Sequence, residues 1–134
     1  AAHAGWRGTA ARVAEAALDA LEARGGVADR AWALFGPSIS RDAYEVGPEV
    51  LAALGEPVPD GAVVAGRGDR SWLDVAAFNE AALLRRGFHP ERVVRPELCT
   101  FGPPVRFCSY RRDGERAGRI FTGAVLLSGG GAAR

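Results

Sequence analysis

Apolar residues recur at three- and four-residue spacing in two stretches of the chain, which predicts two amphipathic helices. The first stretch is GTAARVAEAALDALEARGG, residues 8–26, where Thr9 is placed to cap the start and the closing glycines mark the end. The second runs from about Trp72 to Arg86. Asp74 falls in its first predicted turn, where the helix dipole favours a carboxylate.

Outside these helices, short runs of β-branched, aromatic and aliphatic residues predict strands. AWALF is predicted to be a short buried strand, and GPSIS to be the turn after it. PEVLAAL is predicted to be a short helix with proline in its first turn, and SGGGAAR to be a flexible end. Further extended pieces are predicted around Val63 and Val64, over 91–101 and 105–114, and as a final core strand over 118–127. The order predicts an α/β sandwich with a mixed sheet.

Composition supports one globular domain and excludes several functional classes. The chain has 134 residues, of which 48% are hydrophobic, and a formal charge of +1. All 17 basic residues are arginines, but the charge balance gives no reason to expect a nucleic-acid partner. No apolar run approaches the ~20 residues of a membrane span, so we expect no membrane association and a cytoplasmic protein.

Four side chains are potential zinc ligands: His3, His89, Cys99 and Cys108. Structural zinc sites usually present ligands as close pairs, whereas eight residues separate the two cysteines. The spacing therefore argues against a complete zinc site made by this chain alone. The cysteines are expected to be buried thiols near strands, and His89 to be a surface residue.

Arginines surround an Asp-Gly pair near the C-terminus, and two interpretations compete for them. Arg111, Arg112, Arg116 and Arg119 could grip an anion through bidentate guanidinium hydrogen bonds. The alternative is a solvated hairpin turn, because Asp113 and Gly114 tolerate left-handed backbone geometry. Composition alone favours the turn.

The opening segment AAHAGWRG offers a third candidate site. His3 could sit at the end of a strand and face a pocket, and Arg7 could bind phosphate or carboxylate together with the free amides of a helix start. Trp6 and Arg7 could equally cover the core. Residue chemistry leaves the two readings open.

Five stretches resemble the YfiH-type family, also named multicopper polyphenol oxidase or laccase-domain and associated with purine nucleoside phosphorylase activity. They are HAGWRGTAARV, GPSISRDAYEVGPEV, the helix with Phe78 and Asn79, ELCT and FCSYRRDGERAGR. The resemblance extends over nearly the whole chain in the family's order. HAGWRG with SYRRDG is a specific pair of motifs.

The resemblance implies a zinc site of two histidines and one cysteine, in which His3 matches the last ligand in chain order. The other two ligands belong to an N-terminal half, so residues 1–134 look like the C-terminal portion of a single YfiH-like domain. A missing half or a partner chain is expected to complete it. Without that half, we expect exposed strand edges and an uncovered apolar face.

Three positions depart from the family pattern. In the stretch that often reads GPxIGPCxYEVG, Ser40 replaces a glycine and Asp42 stands where cysteine is common. Cys108 occupies a place that is usually aromatic, which weakens any catalytic role for its thiol. Cys99, in the familiar Cys-Thr pair, matches the pattern.

The activity that the resemblance implies is phosphorolysis of purine nucleosides, adenosine or inosine, to a free base and ribose 1-phosphate. Adenosine deamination and methylthioadenosine cleavage are further family activities. His3 is assigned to zinc, Arg7 and Arg111 to catalysis through anion binding, and Asn79 and Tyr110 to substrate binding. Phosphate and a purine nucleoside are the expected small-molecule partners.

Three other functions remain as alternatives. An amidase that edits cell-wall precursors could use the same zinc. A copper-dependent polyphenol oxidase is disfavoured because a trinuclear copper cluster needs many histidines, and this chain has two. A binding module that keeps the shape but lacks the metal is the non-enzymatic alternative.

Overall fold

The computed structural model describes residues 1–102 and 106–125, and these form a mixed α/β arrangement. The helices are α1 (Trp6–Ala10), α2 (Val13–Glu22), α3 (Pro48–Leu54), α4 (Val75–Arg85) and α5 (Tyr110–Asp113). The strands are β1 (Ala33–Leu34), β2 (Glu45–Val46), β3 (Val63–Ala65), β4 (Ser71–Leu73) and β5 (Val93–Val94). Short 3-10 turns occupy 28–30, 41–43, 90–92 and 114–116.

The strands form one parallel and one antiparallel sheet. β1 pairs with β5 in parallel, with Leu34 opposite Val94. A parallel bridge between Ser38 and Cys99 continues the same alignment. β4 lies between β2 and β3 and is antiparallel to both, so it is the central strand of the second sheet.

The first predicted helix is divided in two. Arg12 takes a left-handed conformation, with φ of 57°, and separates α1 from α2. Thr9 therefore lies inside α1, and its predicted role as a cap is wrong. Its hydroxyl instead turns back to the carbonyls of Ala4 and Gly5, an alternative partner that threonine side chains often find.

The second predicted helix begins later than the apolar spacing indicated. Residues 71–73 form β4, where Trp72 pairs with Glu45 on one side and Val64 on the other. Pairing with two neighbouring strands outweighs the helical periodicity of this segment. Asp74 is the N-cap of α4, and its carboxylate accepts a hydrogen bond from the amide of Ala77 at 3.1 Å.

Two apolar clusters lie against different parts of α4. One is centred on the antiparallel sheet and α3, and its buried members are Val46, Val50, Ala62, Leu73, Val75 and Phe78. The other packs α2 against the end of α4 and comprises Leu18, Ala28, Leu83 and Phe88. Because both clusters use α4, this helix is the shared support for the elements that carry the candidate site.

Two predictions for the C-terminal region are wrong. Residues 118–125 of the predicted core strand have no regular structure, and Phe121 is fully exposed. Residues 126–127 of that strand and the flexible end 128–134 lie outside the described residues. The predicted hairpin around Asp113 and Gly114 is α5 followed by a 3-10 turn, although Gly114 does take a positive φ of 58°.

A side chain explains why a helical turn replaces the hairpin. The guanidinium of Arg112 donates to the carbonyls of Phe107, at 2.9 Å, and Thr100, at 3.2 Å, and also pairs with Asp113. These bonds tie α5 to the preceding loop. Arg112 therefore serves the local structure, and the anion-binding interpretation loses one of its four arginines.

The parallel sheet has an exposed apolar face. Ala33 and Val93 point toward the second cluster, while Leu34 and Val94 are 51% and 42% exposed. Trp32, predicted as part of a buried strand, is 62% exposed beside them. Parallel strands are normally covered on both faces, so the exposure of this apolar face is unusual.

Candidate functional site

The candidate site begins at the segment before α1. Residues 1–4 have no regular structure, so the strand predicted to carry His3 is not present there. The exposed His3 imidazole lies over Gly5, since a Cβ on that glycine would be 3.6 Å from the histidine Nε2. Arg7, in the first turn of α1, is also exposed. The structure thus presents His3 and Arg7 from one short segment.

Tyr44 brings two of the predicted residues into one electrostatic environment. The Arg111 guanidinium lies over the Tyr44 ring, 4.9 Å from its centre, and Arg7 lies over Trp6 at 4.4 Å. Burial raises the pKa of the Tyr44 hydroxyl, while Arg111 and Arg7 act in the opposite direction. The phenol therefore stays protonated at neutral pH, with the positive charges of Arg111 and Arg7 close to it.

Ring stacking gives these two arginines a defined orientation. A guanidinium held against an aromatic face keeps its N–H groups free at the edge, where they can bind a planar or tetrahedral oxyanion. Both Arg7 and Arg111 are exposed to solvent. The arrangement of α1, Tyr44 and α5 is thus chemically suited to hold an anion such as phosphate.

The two residues predicted to bind substrate lie in different surroundings. Tyr110 is 71% exposed at the start of α5, next to Arg111. Asn79 is only 4% exposed, and its amide donates to the Thr9 hydroxyl at 2.8 Å and the Val75 carbonyl at 2.9 Å. Asn79 also contributes to the wall of a groove of about 320 Å³ between α1, α3 and α4. Its contact with substrate stays a prediction.

Cys99, predicted to be a buried thiol, is partly exposed and lies among hydrogen-bond donors that the sequence did not predict. The hydroxyl of Ser40 donates to its sulfur at 3.1 Å, and the amides of Ser40 and Phe101 approach it at 3.4 Å. Burial disfavours the thiolate, but these donors and the Gly102 amide outweigh it and lower the pKa of Cys99 to about 7. The thiol is therefore partly ionised at neutral pH.

Comparison with known proteins identifies the family. The model of the multi-copper polyphenol oxidoreductase laccase family matches residues 1–127. The chain belongs to this family. The family resemblance inferred from the sequence motifs is therefore confirmed.

Relatives and a solved structure agree with the assignment. The chain is 36% identical over 124 residues to adenosine deaminase RL5 of an unknown prokaryotic organism, covering 90% of this chain and 47% of that protein. It is 39% identical over 125 residues to a purine nucleoside phosphorylase of Pseudomonas aeruginosa, covering 90% and 48%. The Bacillus licheniformis hypothetical protein YfiH superposes with a TM-score of 0.76 at 29% identity, covering 83% of this chain and 43% of that one.

The chain spans about half the length of the curated relatives that it matches. The described elements, with both parallel and antiparallel sheets, match the corresponding part of the YfiH structure. The mixed α/β fold predicted from the sequence is thereby confirmed. Among the described residues, no helix combines the length and apolarity needed to cross a bilayer.

The family's name raises the question of a metal, and the described residues do not fit one by themselves. No three histidine, cysteine, aspartate or glutamate side chains within 1–102 and 106–125 come together as a metal site. A protein zinc site needs at least three such ligands. His3 can supply one of them, but the described residues alone do not complete the set.

Sequence reasoning missed two residues of functional interest. Tyr44 lies in a family-like motif but has no unusual local signal, and only the fold shows that Arg111 stacks on it. Ser40 was recognised as a departure from the family pattern, yet its partner Cys99 is 59 positions away. The serine at a position where the family pattern has glycine was the one available signal.

The pH dependence of Cys99 alkylation tests this pocket. With Cys108→Ser leaving a single thiol, the rate of reaction with iodoacetamide should rise with pH and reach half its maximum near pH 7, because the thiolate forms above its pKa. Ser40→Ala should move the midpoint upward, since the thiolate loses the hydroxyl donor. A midpoint near that of free cysteine, about 8.5, in the unsubstituted pocket would contradict the assignment.

Proposed function

We propose that this chain forms part of a purine nucleoside phosphorylase. The observation that carries the proposal is the grouping of Arg7 and Arg111 around Tyr44, next to the segment that bears His3. Several relatives at 31–39% identity are named purine nucleoside phosphorylase, and phosphorolysis is a reaction in which a site for an anion would bind phosphate. Phosphate is the co-substrate that two stacked arginines suit.

In phosphorolysis, a phosphate oxygen forms a bond to C1′ of the ribose as the glycosidic C–N bond breaks. The base leaves with the electron pair of that bond and takes up a proton, and ribose 1-phosphate remains. Arg7 and Arg111 would bind and orient phosphate through their N–H groups. Holding the nucleophile in line in this way lowers the barrier chiefly by removing its freedom of motion.

Tyr110 and Asn79 complete the proposed assignment. Tyr110 adjoins Arg111 and exposes an aromatic ring, which can stack on a purine base. Asn79 lines the groove beside α1. Both contacts to substrate are proposals that follow from the family resemblance.

We also propose that the complete protein covers the exposed face of β1 and β5. Relatives are about twice as long as this chain, and Trp32, Leu34 and Val94 form an apolar surface that a further layer of structure would bury. The same additional half would bring the zinc ligands that His3 lacks. When bound, zinc would supply Lewis-acid chemistry.

Release of free base from inosine and adenosine tests the function. The protein, expressed with all the sequence that its gene encodes, should release base only when phosphate is present, with one ribose 1-phosphate formed per base. Residues 1–134 alone should show no turnover, because the remaining half is absent. Base release that is independent of phosphate would contradict phosphorolysis.

Adenosine deamination is a second candidate because the relative adenosine deaminase RL5 is 36% identical. Deamination converts adenosine to inosine and ammonia with water as the nucleophile, and needs no phosphate. The same assay separates the two reactions when ammonia and free base are both measured. Ammonia without base would favour the deaminase.

A further inference from the structure

A buried amide on α4 reaches the hydroxyl of Thr9 on α1. The Nδ2 group of Asn79 donates to Thr9 Oγ1 at 2.8 Å and to the Val75 carbonyl, one turn earlier on its own helix, at 2.9 Å. Because Asn79 is 4% exposed and α4 belongs to both apolar clusters, its amide is a firmly held donor. The position of the Thr9 hydroxyl is thereby held by α4.

The Thr9 hydroxyl passes this restraint to the segment before α1. It shares its single proton between the carbonyl oxygens of Gly5, at 3.2 Å, and Ala4, at 3.4 Å. A hydroxyl can donate once and still accept, so the bond from Asn79 is compatible with both contacts. The connection therefore runs from the core helix to the backbone between His3 and Arg7.

Gly8 holds the same segment by close approach. A Cβ at this position would lie 2.8 Å from the carbonyl oxygen of His3, closer than real Cβ contacts allow. The chain before α1 thus folds back over the first turn of the helix, and only glycine leaves room for it. Contacts at Gly8 and Thr9 together define where the His3 backbone lies.

We propose that Thr9 and Asn79 are positioning residues that hold the segment bearing His3 and Arg7 in its functional conformation. The roles of His3 and Arg7 rest on the proposed function, but the restraint itself rests on the contacts. Through Thr9, Asn79 then has a structural role in addition to the contact with substrate predicted from the resemblance. Neither side chain takes part in the chemistry.

Exchange and labelling experiments test the restraint without any need for turnover. In the protein expressed with its complete sequence, Thr9→Val removes the hydroxyl while keeping the shape. Hydrogen exchange at the residue 9 amide, which donates to the Gly5 carbonyl, should accelerate about tenfold. The rate of carbethoxylation of His3, measured as a ratio to the rate at His89, should also change. His89 lies outside this segment and is the internal reference. Thr9→Ser should restore both values, and Asn79→Ala should resemble Thr9→Val.

Leu83→Ala is the matched control, because it weakens the other end of α4 without removing the hydrogen bonds from Asn79 to Thr9 and from Thr9 to the segment before α1. It should lower overall stability and leave the His3-to-His89 labelling ratio unchanged. The proposal is overturned if Thr9→Val behaves like Leu83→Ala, or if Thr9→Ser fails to restore exchange. Since these signals do not depend on catalysis, an inactive wild type with a confirmed restraint would refute the phosphorylase function and leave the positioning role standing.

Discussion

Arg111→Ala should lower kcat/KM for phosphorolysis about 100-fold, with much of the loss appearing as a higher KM for phosphate. The guanidinium stacked on Tyr44 has a defined orientation, so its removal takes away both charge and preorganised donors. Arg111→Lys should recover little, because an ammonium lacks the planar fork. Initial rates measured over a range of phosphate concentrations check this.

Two variants separate anion binding from loss of structure. Arg116→Ala removes another exposed arginine from the adjoining 3-10 turn and should change kcat/KM less than about twofold. Tyr44→Phe keeps the aromatic face and should preserve most of the activity, whereas Tyr44→Leu should lose it. Equal losses for Arg111→Ala and Arg116→Ala would rule out a specific role for Arg111.

Leu73→Ala should destabilise the fold by about 3 kcal/mol. Leu73 is fully buried on the central strand β4, and its amide donates to the carbonyl of Tyr44 at 2.9 Å. Truncation would leave a cavity beneath the segment that presents Tyr44. The midpoint of urea unfolding, followed by circular dichroism, measures the change.

Leu84→Ala is the control for this effect. Leu84 is 36% exposed on α4, so its truncation should cost well under half as much. Because the carbonyl of Tyr44 accepts a hydrogen bond from the Leu73 amide, Leu73→Ala should also lower activity at temperatures where the protein is still folded. A loss for Leu84→Ala equal to that for Leu73→Ala would contradict the packing described.

Sequence patterns predicted the elements whose signals are local. Helix α3 was predicted correctly as PEVLAAL because Pro48 marks its first turn and Gly55 follows its end. A strand around Val63 was also correct. These features depend on a few neighbouring residues, so composition and spacing sufficed.

Elements that depend on distant partners were not predictable in the same way. Trp72 has helical spacing, yet two flanking strands place it in β4. Likewise, α5 forms where a hairpin was expected, because Arg112 binds carbonyls of a separate loop. The candidate site also depends on partners that are distant in sequence. Family motifs singled out Arg7 and Arg111, but the position of Tyr44 close to both is apparent only once the chain is folded.

The alignment of Ser38 with Cys99 has a consequence for the order of folding. The antiparallel sheet joins residues within 45–73, whereas the parallel ladder must close a loop of roughly sixty residues and is expected to form late. Ser40 reaches the Cys99 sulfur only when that ladder is in place. In a refolding experiment, the acidity of the Cys99 thiol would therefore report when Ser38 and Cys99 come into alignment.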